Sequence, residues 1–356
     1  MHPGGRSYAV PSGLVYDALS FSPRATTWKN ASTGRVHAFH GEMGMAMIDW
    51  LWEVGRKIAL TQLATRPLTD SLTHSFTHRH TTSPPSPHTG AYWGNWMFHI
   101  ASHNTTTHTL HFGAGGWQEA RGYGGGGAFF VEGIEEELDY VGEYYIDQQS
   151  RELFLYYNET SGTPPPPNTV AVATLTTLIT ISGNSSFPVR NVSLTGLTLT
   201  GTTPTFLSRP FTAPSGGDWS FANSAAVVVE GASGLGVEAC VLKELAGNAL
   251  LVRGWARSTR VLDSIFDRVG DSGVVTCGKT DLANLSALEV PVDTRIEGNI
   301  FSNLGVEVKQ AGGVYSALSA NHTIARNIFY NMPRAGININ DGAHGGHDLR
   351  GNVLVT

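Results

Sequence analysis

Charge is scarce in this chain. Only 15% of its 356 residues are charged, where globular domains usually carry about 25%. The deficit excludes coiled coils and helical bundles, which are built from Ala, Glu, Lys and Leu. The charge that is present sums to -6, so there is no basic footprint for nucleic acid. Two cysteines, Cys240 and Cys277, are too few for a disulfide scaffold or a cysteine-based zinc site. No apolar run approaches the roughly 18 residues that span a bilayer, and residues 1–20 hold no apolar signal-peptide core. Neither a metal nor an organic cofactor is called for by any motif.

In place of charge the chain has 42 glycines and abundant Ser and Thr, a balance that suits an all-β protein full of turns. Asn-X-Ser/Thr sequons begin at Asn30, Asn104, Asn158, Asn184, Asn191, Asn284 and Asn321. Their number points to an extracellular, glycosylated protein, which would need a leader ahead of Met1.

Residues 1–165 read as an N-terminal β-rich module. Within it, 43–90 look foreign. Met43 to Leu60 has the pattern of a short amphipathic helix, and the following low-complexity stretch carries His74, His78, His80 and His88. Such a tract either binds metal or is a disordered insertion, and the second reading is preferred. His37 and His40 read as a surface turn. Tyr144–Ile146 and Leu153–Tyr157 form a hairpin around Asp147–Ser150. Trp93, Trp96 and Trp117 read as core of this module in preference to sugar-stacking platforms. Pro164–Pro167 is a stiff linker.

Residues 166–356 are periodic. VEACVLKELAG (237–247), VLDSIFDRVG (261–270), IEGNIFSNLG (296–305), IARNIFYNMP (324–333) and LRGNVLVT (349–356) align, with Cys240, Ser264, Asn299, Asn327 and Asn352 in register at intervals of 24, 35, 28 and 25 residues. Periods of about 20–50 residues mark solenoids and propellers. Each copy is a short strand, a polar turn residue and a second short strand, with no crossover helix. That is one coil of a parallel β-helix, in which stacked asparagines satisfy one another. A further strand follows each copy. Alternation along it points Leu250, Val274, Val314 and Ile337 inward, and turns Leu251, Val275, Tyr315 and Asn338 outward, along with Arg253, Cys277, Ala317 and Asn340. The final coil shows no polar cap, so the series is expected to continue past residue 356.

The run LDYVGEYYID…ELFLYY resembles an "LDxPGEWYLD…TLYY" element of secreted β-helix proteins of carbohydrate metabolism. Leu138, Asp139, Gly142, Glu143, Tyr145, Asp147, Leu153, Tyr156 and Tyr157 match, while Val141 and Tyr144 depart from it. The periodic part resembles the right-handed parallel β-helix domain of the pectate-lyase-like superfamily. With its accessory β-module, the whole resembles β-helix glycoside hydrolases of the xylosidase and fucosidase/xylanase types. The resemblance implies a monomer acting on a polysaccharide or oligosaccharide through paired carboxylates.

The densest polar cluster is Pro333 to Asp348. Asn338 and Asn340 suit sugar hydroxyls, His344 lies on the loop that follows, and Asp341 is the candidate acid or nucleophile, although Asp-Gly is also an ordinary turn pair. Asp271 is the candidate partner, with Asp281 as a substitute; Asp263 and Asp267 read as turn or surface residues. Hydrolysis needs carboxyls about 5–5.5 Å apart for retention or about 6.5–9.5 Å for inversion. Lys309, Arg334, Tyr315, His344 and His347 admit a second reading, a lyase or epimerase that abstracts the proton beside a uronate carboxylate. A non-catalytic glycan-binding β-helix is the third.

Overall fold

The computed structural model describes residues 14–16, 26–27, 75–79, 96–104, 109–118, 128–131, 133–135, 138, 140, 142–147, 152–156, 170–207, 211–212, 214, 219–279, 289–340 and 342–355. Two units are present, one reaching to Val172 and the other running from Ala173, with residues 117–118 belonging to the second.

In the first unit, Ser75–Arg79 lies between Met97–Asn104 and Ala128–Val131 in an antiparallel sheet, with Thr109–Gly115 on the outer edge. Ser75–Arg79 falls inside the stretch read as foreign; most of 43–90, including the helical expectation and His74, His80 and His88 in their tract, lies outside the described residues. The expected hairpin forms between Tyr144–Asp147 and Glu152–Leu155. Trp96 is buried here, as expected of a core residue. Trp117 belongs to the second unit and packs on Phe211.

The second unit is a parallel β-helix. Its coils contribute one strand each to three parallel sheets. Sheet A stacks Ile179–Ser182, Ala225–Ser233, Asn248–Arg257, Val274–Cys277, Gly312–Ala317 and Ala335–Ile339. Sheet B stacks Ser193–Thr195, Gly236–Glu238, Arg260–Leu262, Arg295–Glu297, Thr323–Ala325 and Asp348–Arg350. Sheet C stacks Thr198–Leu199, Val241–Leu245, Ile265–Val269, Ile300–Ser302, Ile328–Tyr330 and Val353–Val355.

Strands this short are stable because like residues stack on like across successive coils. Leu250, Val274 and Val314 point inward from sheet A, and Val261, Ile296 and Ile324 from sheet B. From sheet C, Phe266, Phe301 and Phe329 stack with ring centroids 4.7 and 4.9 Å apart and planes within 14° and 6° of parallel. Burial of these side chains is the main stabilising term, at roughly 1.5–3 kcal/mol each.

The corner between sheets B and C is the predicted asparagine ladder. Cys240 N–H donates to Ser264 Oγ at 3.0 Å, and Ser264 N–H to Asn299 Oδ1 at 2.9 Å. Asn299 donates through both its backbone N–H and Nδ2 to Asn327 Oδ1 at 3.0 Å, and Asn327 does the same to Asn352 Oδ1. The residues just before the ladder take positive φ (Ala239, Asp263, Gly298, Arg326, Gly351), which turns the chain sharply into sheet C.

Candidate functional site

The outer face of sheet A is where the sequence places its site, and most of that face is covered. Trp219 and Phe221 lie over Leu251, Val275 and Tyr315 in a second apolar cluster. Tyr315 does point away from the helix interior, as alternation requires, but its ring stacks on Trp219 at 5.5 Å and it is 0% exposed. It is therefore a packing residue and cannot touch a substrate in this conformation.

The other candidates separate into two groups. Arg334 is exposed and sits 4.5 Å above the Trp219 ring. Asn338 is the register partner of Tyr315, and Asn340 N–H donates to Ser316 O; both are half-buried. His344 is exposed, anchored by its N–H to Ser319 O. These four share the last coil around sheet A. Asp271 and Lys309 lie instead at the corner between sheets C and A. The Lys309 ammonium donates to Gly305 O and Val306 O, so it fastens its own loop. That loop binds back through Gly305 N–H to Asp271 O and Val308 N–H to Gly270 O.

Asp271 is 2% exposed. Burial pushes its pKa up to about 7, against a hydrogen bond from Ser272 Oγ that favours the ionised form. Its other oxygen, Oδ2, meets no donor. With no route to a sugar, Asp271 is corrected from a catalytic candidate to a buried corner residue. Asp341 and Asp281 lie outside the described residues.

A hydroxyl–imidazole pair also occurs in the helix interior. His322 Nδ1 lies 3.2 Å from Ser316 Oγ. Both residues are 0% exposed, and burial, with His347 adding to it, drops the His322 pKa to about 4. The pair is part of the core.

Earlier coils bring together a different set of residues on the outer side of sheet A. Glu230 and Arg253 are register partners, joined by Arg253 Nε to Glu230 Oε2 at 2.8 Å. Lys279 pairs with Glu289, and the hydrogen bond to Glu289 raises its pKa; Glu230 acts on the same ammonium in the same sense. Glu230 and Lys279, the partner of Glu289, both border Gly254. Chain geometry explains the convergence. Gly231 and Gly254 both have positive φ (62° and 61°), and the register shifts beside them. A Cβ at Gly231 would lie 2.0 Å from the Gly183 backbone, and one at Gly254 would lie 3.4 Å from Glu230 Oε1 and 3.6 Å from Lys279 Cε. The bulge bends the strand and re-aims the residues that follow.

Those residues are Trp255 and Arg257. Ala256 between them points into the core, so both face out. The Arg257 guanidinium lies 4.8 Å from the Trp255 ring centroid, and its Nη1 donates to Ala256 O and to Val290 O, next to Glu289. Trp255 is half-buried. The site is thus two carboxylates, two cations paired with them and an aromatic ring backed by a third cation. Sequence reasoning placed Arg253 on the outer face but not Glu230, Trp255 or Glu289. The usable signal was the run AAVVVEG, whose Glu230 is the coil-stacked partner of Arg253.

Among the described residues, no group of three or more His, Cys, Asp or Glu side chains is arranged to hold a metal ion. No helix there is long and apolar enough to cross a membrane.

No protein-family model matches this chain, and no curated protein matches it. A solved structure named as a glycoside hydrolase is similar to it, with a TM-score of 0.60 over 84% of this chain and 70% of that one, at 14% identity. At that identity the likeness shows a shared fold.

Proposed function

We propose that this β-helix acts on polysaccharide outside the cell and hydrolyses glycosidic bonds, with Glu230 and Glu289 as the carboxyl pair. The observation that carries the reading is that Glu230 and Lys279, the partner of Glu289, flank Gly254, one residue before the half-buried Trp255. Glycoside hydrolysis needs one carboxyl that is ionised and one that donates a proton to the leaving oxygen. Glu230, held by Arg253, takes the role of base or nucleophile. Glu289 takes the role of proton donor; its partner Lys279 is more than half exposed, so a sugar can reach the pair. The glycoside-hydrolase neighbour supports this reading through its fold. Exposure of the sequon residues Asn184, Asn191 and Asn321 supports an extracellular location.

The lyase reading loses support, because Lys309 is tied to two carbonyls and Tyr315 is covered. The test is release of reducing sugar from xylan, arabinan, galactan and polygalacturonate by the full chain. Glu230→Gln and Glu289→Gln are expected to lower the rate by at least about a hundredfold with the fold intact. Product carrying an unsaturated-uronate absorbance would establish a lyase, and retention of glycan without product would establish a binder.

A further inference from the structure

We propose that Trp255 is the platform on which a pyranose ring of the glycan stacks, and that Arg257 positions it. The proposal rests on the carboxylate site above and adds the residues that hold the sugar against it. Three observations carry it. The αL bulge at Gly254 turns Trp255 outward at the point where the chain passes Glu230 and Lys279. The indole stays half-buried at the rim of a polar cluster, with part of its surface open to solvent. Arg257 lies over the ring, and its hydrogen bond of 2.7 Å to Val290 O reaches the segment bearing Glu289. One side chain therefore fixes both the platform and the chain that carries the proton donor.

The chemistry follows from the ring. A pyranose presents a face of C–H bonds to an aromatic π-face, and its hydroxyls remain at the edge for polar groups. Here those groups are Arg253, Lys279 and the two glutamates. A guanidinium 4.8 Å from the ring centroid stops the indole from rotating.

Affinity electrophoresis of the full chain through gels containing xylan, arabinan, galactan or polygalacturonate tests this. Wild type is expected to be retarded by at least one of them. Trp255→Ala should weaken that retardation about tenfold, and Trp255→Phe should keep most of it. Arg257→Ala should weaken binding less and lower kcat as well, because Glu289 loses its anchor. Thermal melts check that each variant is folded. A wild type retarded by none of the glycans, or a folded Trp255→Ala retarded as strongly as wild type, overturns the proposal. Retardation that depends on Trp255 in a chain that cleaves nothing would sustain the platform and refute the hydrolase, so the two readings fail separately.

Discussion

Two corners of the same coil treat buried polar groups in opposite ways. At the corner between sheets B and C, the buried amides of Asn299 and Asn327 are answered in full. Asn327 Nδ2 donates to Ile296 O and Asn352 Oδ1, and its Oδ1 accepts two bonds from Asn299. At the corner between sheets A and B, the stacked residues are Thr259, Thr294, His322 and His347, which precede consecutive sheet B strands. The hydroxyls of Thr259 and Thr294 are buried and hydrogen-bond to nothing, and His322 is held neutral by burial. The difference teaches that burial alone does not make a polar residue structural. A repeated amide builds a column, whereas mixed hydroxyls and imidazoles only fill one.

Substitution at Asn327 gives the largest contrast. Asn327→Ala removes four hydrogen bonds and strands the Asn299 amide and Ile296 O. The expected loss is about 5 kcal/mol, read by chemical denaturation. A loss under about 1 kcal/mol, the net worth of a single hydrogen bond, would erase the distinction between the corners.

Acidity gives the next. Folded His322 protonates near pH 4 against 6.5 as a free group. Between those values the unfolded chain binds more protons, so this residue lowers stability as pH falls, by about 3 kcal/mol. Asp271 has the opposite sign. Its folded pKa is about 7 against 3.8, so the folded chain binds more protons between them and stability falls as pH rises, by about 4 kcal/mol. The two slopes nearly cancel between pH 4 and 6.5. Relative to wild type, Asp271→Asn should gain stability as pH rises and His322→Asn should lose it. Parallel profiles for all three proteins would show that neither group titrates as its burial requires.

The smallest effect is expected at Thr294→Val. It exchanges an unanswered buried hydroxyl for a methyl of similar shape, which should be neutral or stabilising by up to about 1 kcal/mol. A clear destabilisation in the same denaturation assay would mean that the hydroxyl has an acceptor.

Much of the fold was legible in the sequence because the ladder repeats its context. Ser264, Asn299 and Asn327 each precede an Ile-Phe pair, and that exposed-then-buried pair is what a sheet C strand must present. The 35-residue interval between Ser264 and Asn299 holds a longer connection between Val274–Cys277 and Pro291–Val292. Exposure was not legible. Alternation set the direction of Tyr315 correctly, but its cover comes from Trp219 and Phe221, which lie far earlier in the chain and carry no repeat. The carboxylate site escaped for a related reason. Glu230 sits beside a bulge that shifts the register, and Glu289 stands outside the repeat, where no period points to it. Asp271 misled because an Asp before a tight Gly turn looks the same whether its carboxyl faces water or the interior.

The asparagine column also has a sense of travel. Each rung hands its Nδ2 proton to the Oδ1 of the following rung, from Asn299 to Asn327 and from Asn327 to Asn352, so the amide dipoles line up head to tail and polarise one another. A rung must give and receive at once. Aspartate can receive but cannot give, so Asn327→Asp would keep the bonds from Asn299 and set a carboxylate against both Ile296 O and Asn352 Oδ1. Asp removes the giving half of a rung, where Ala removes both halves.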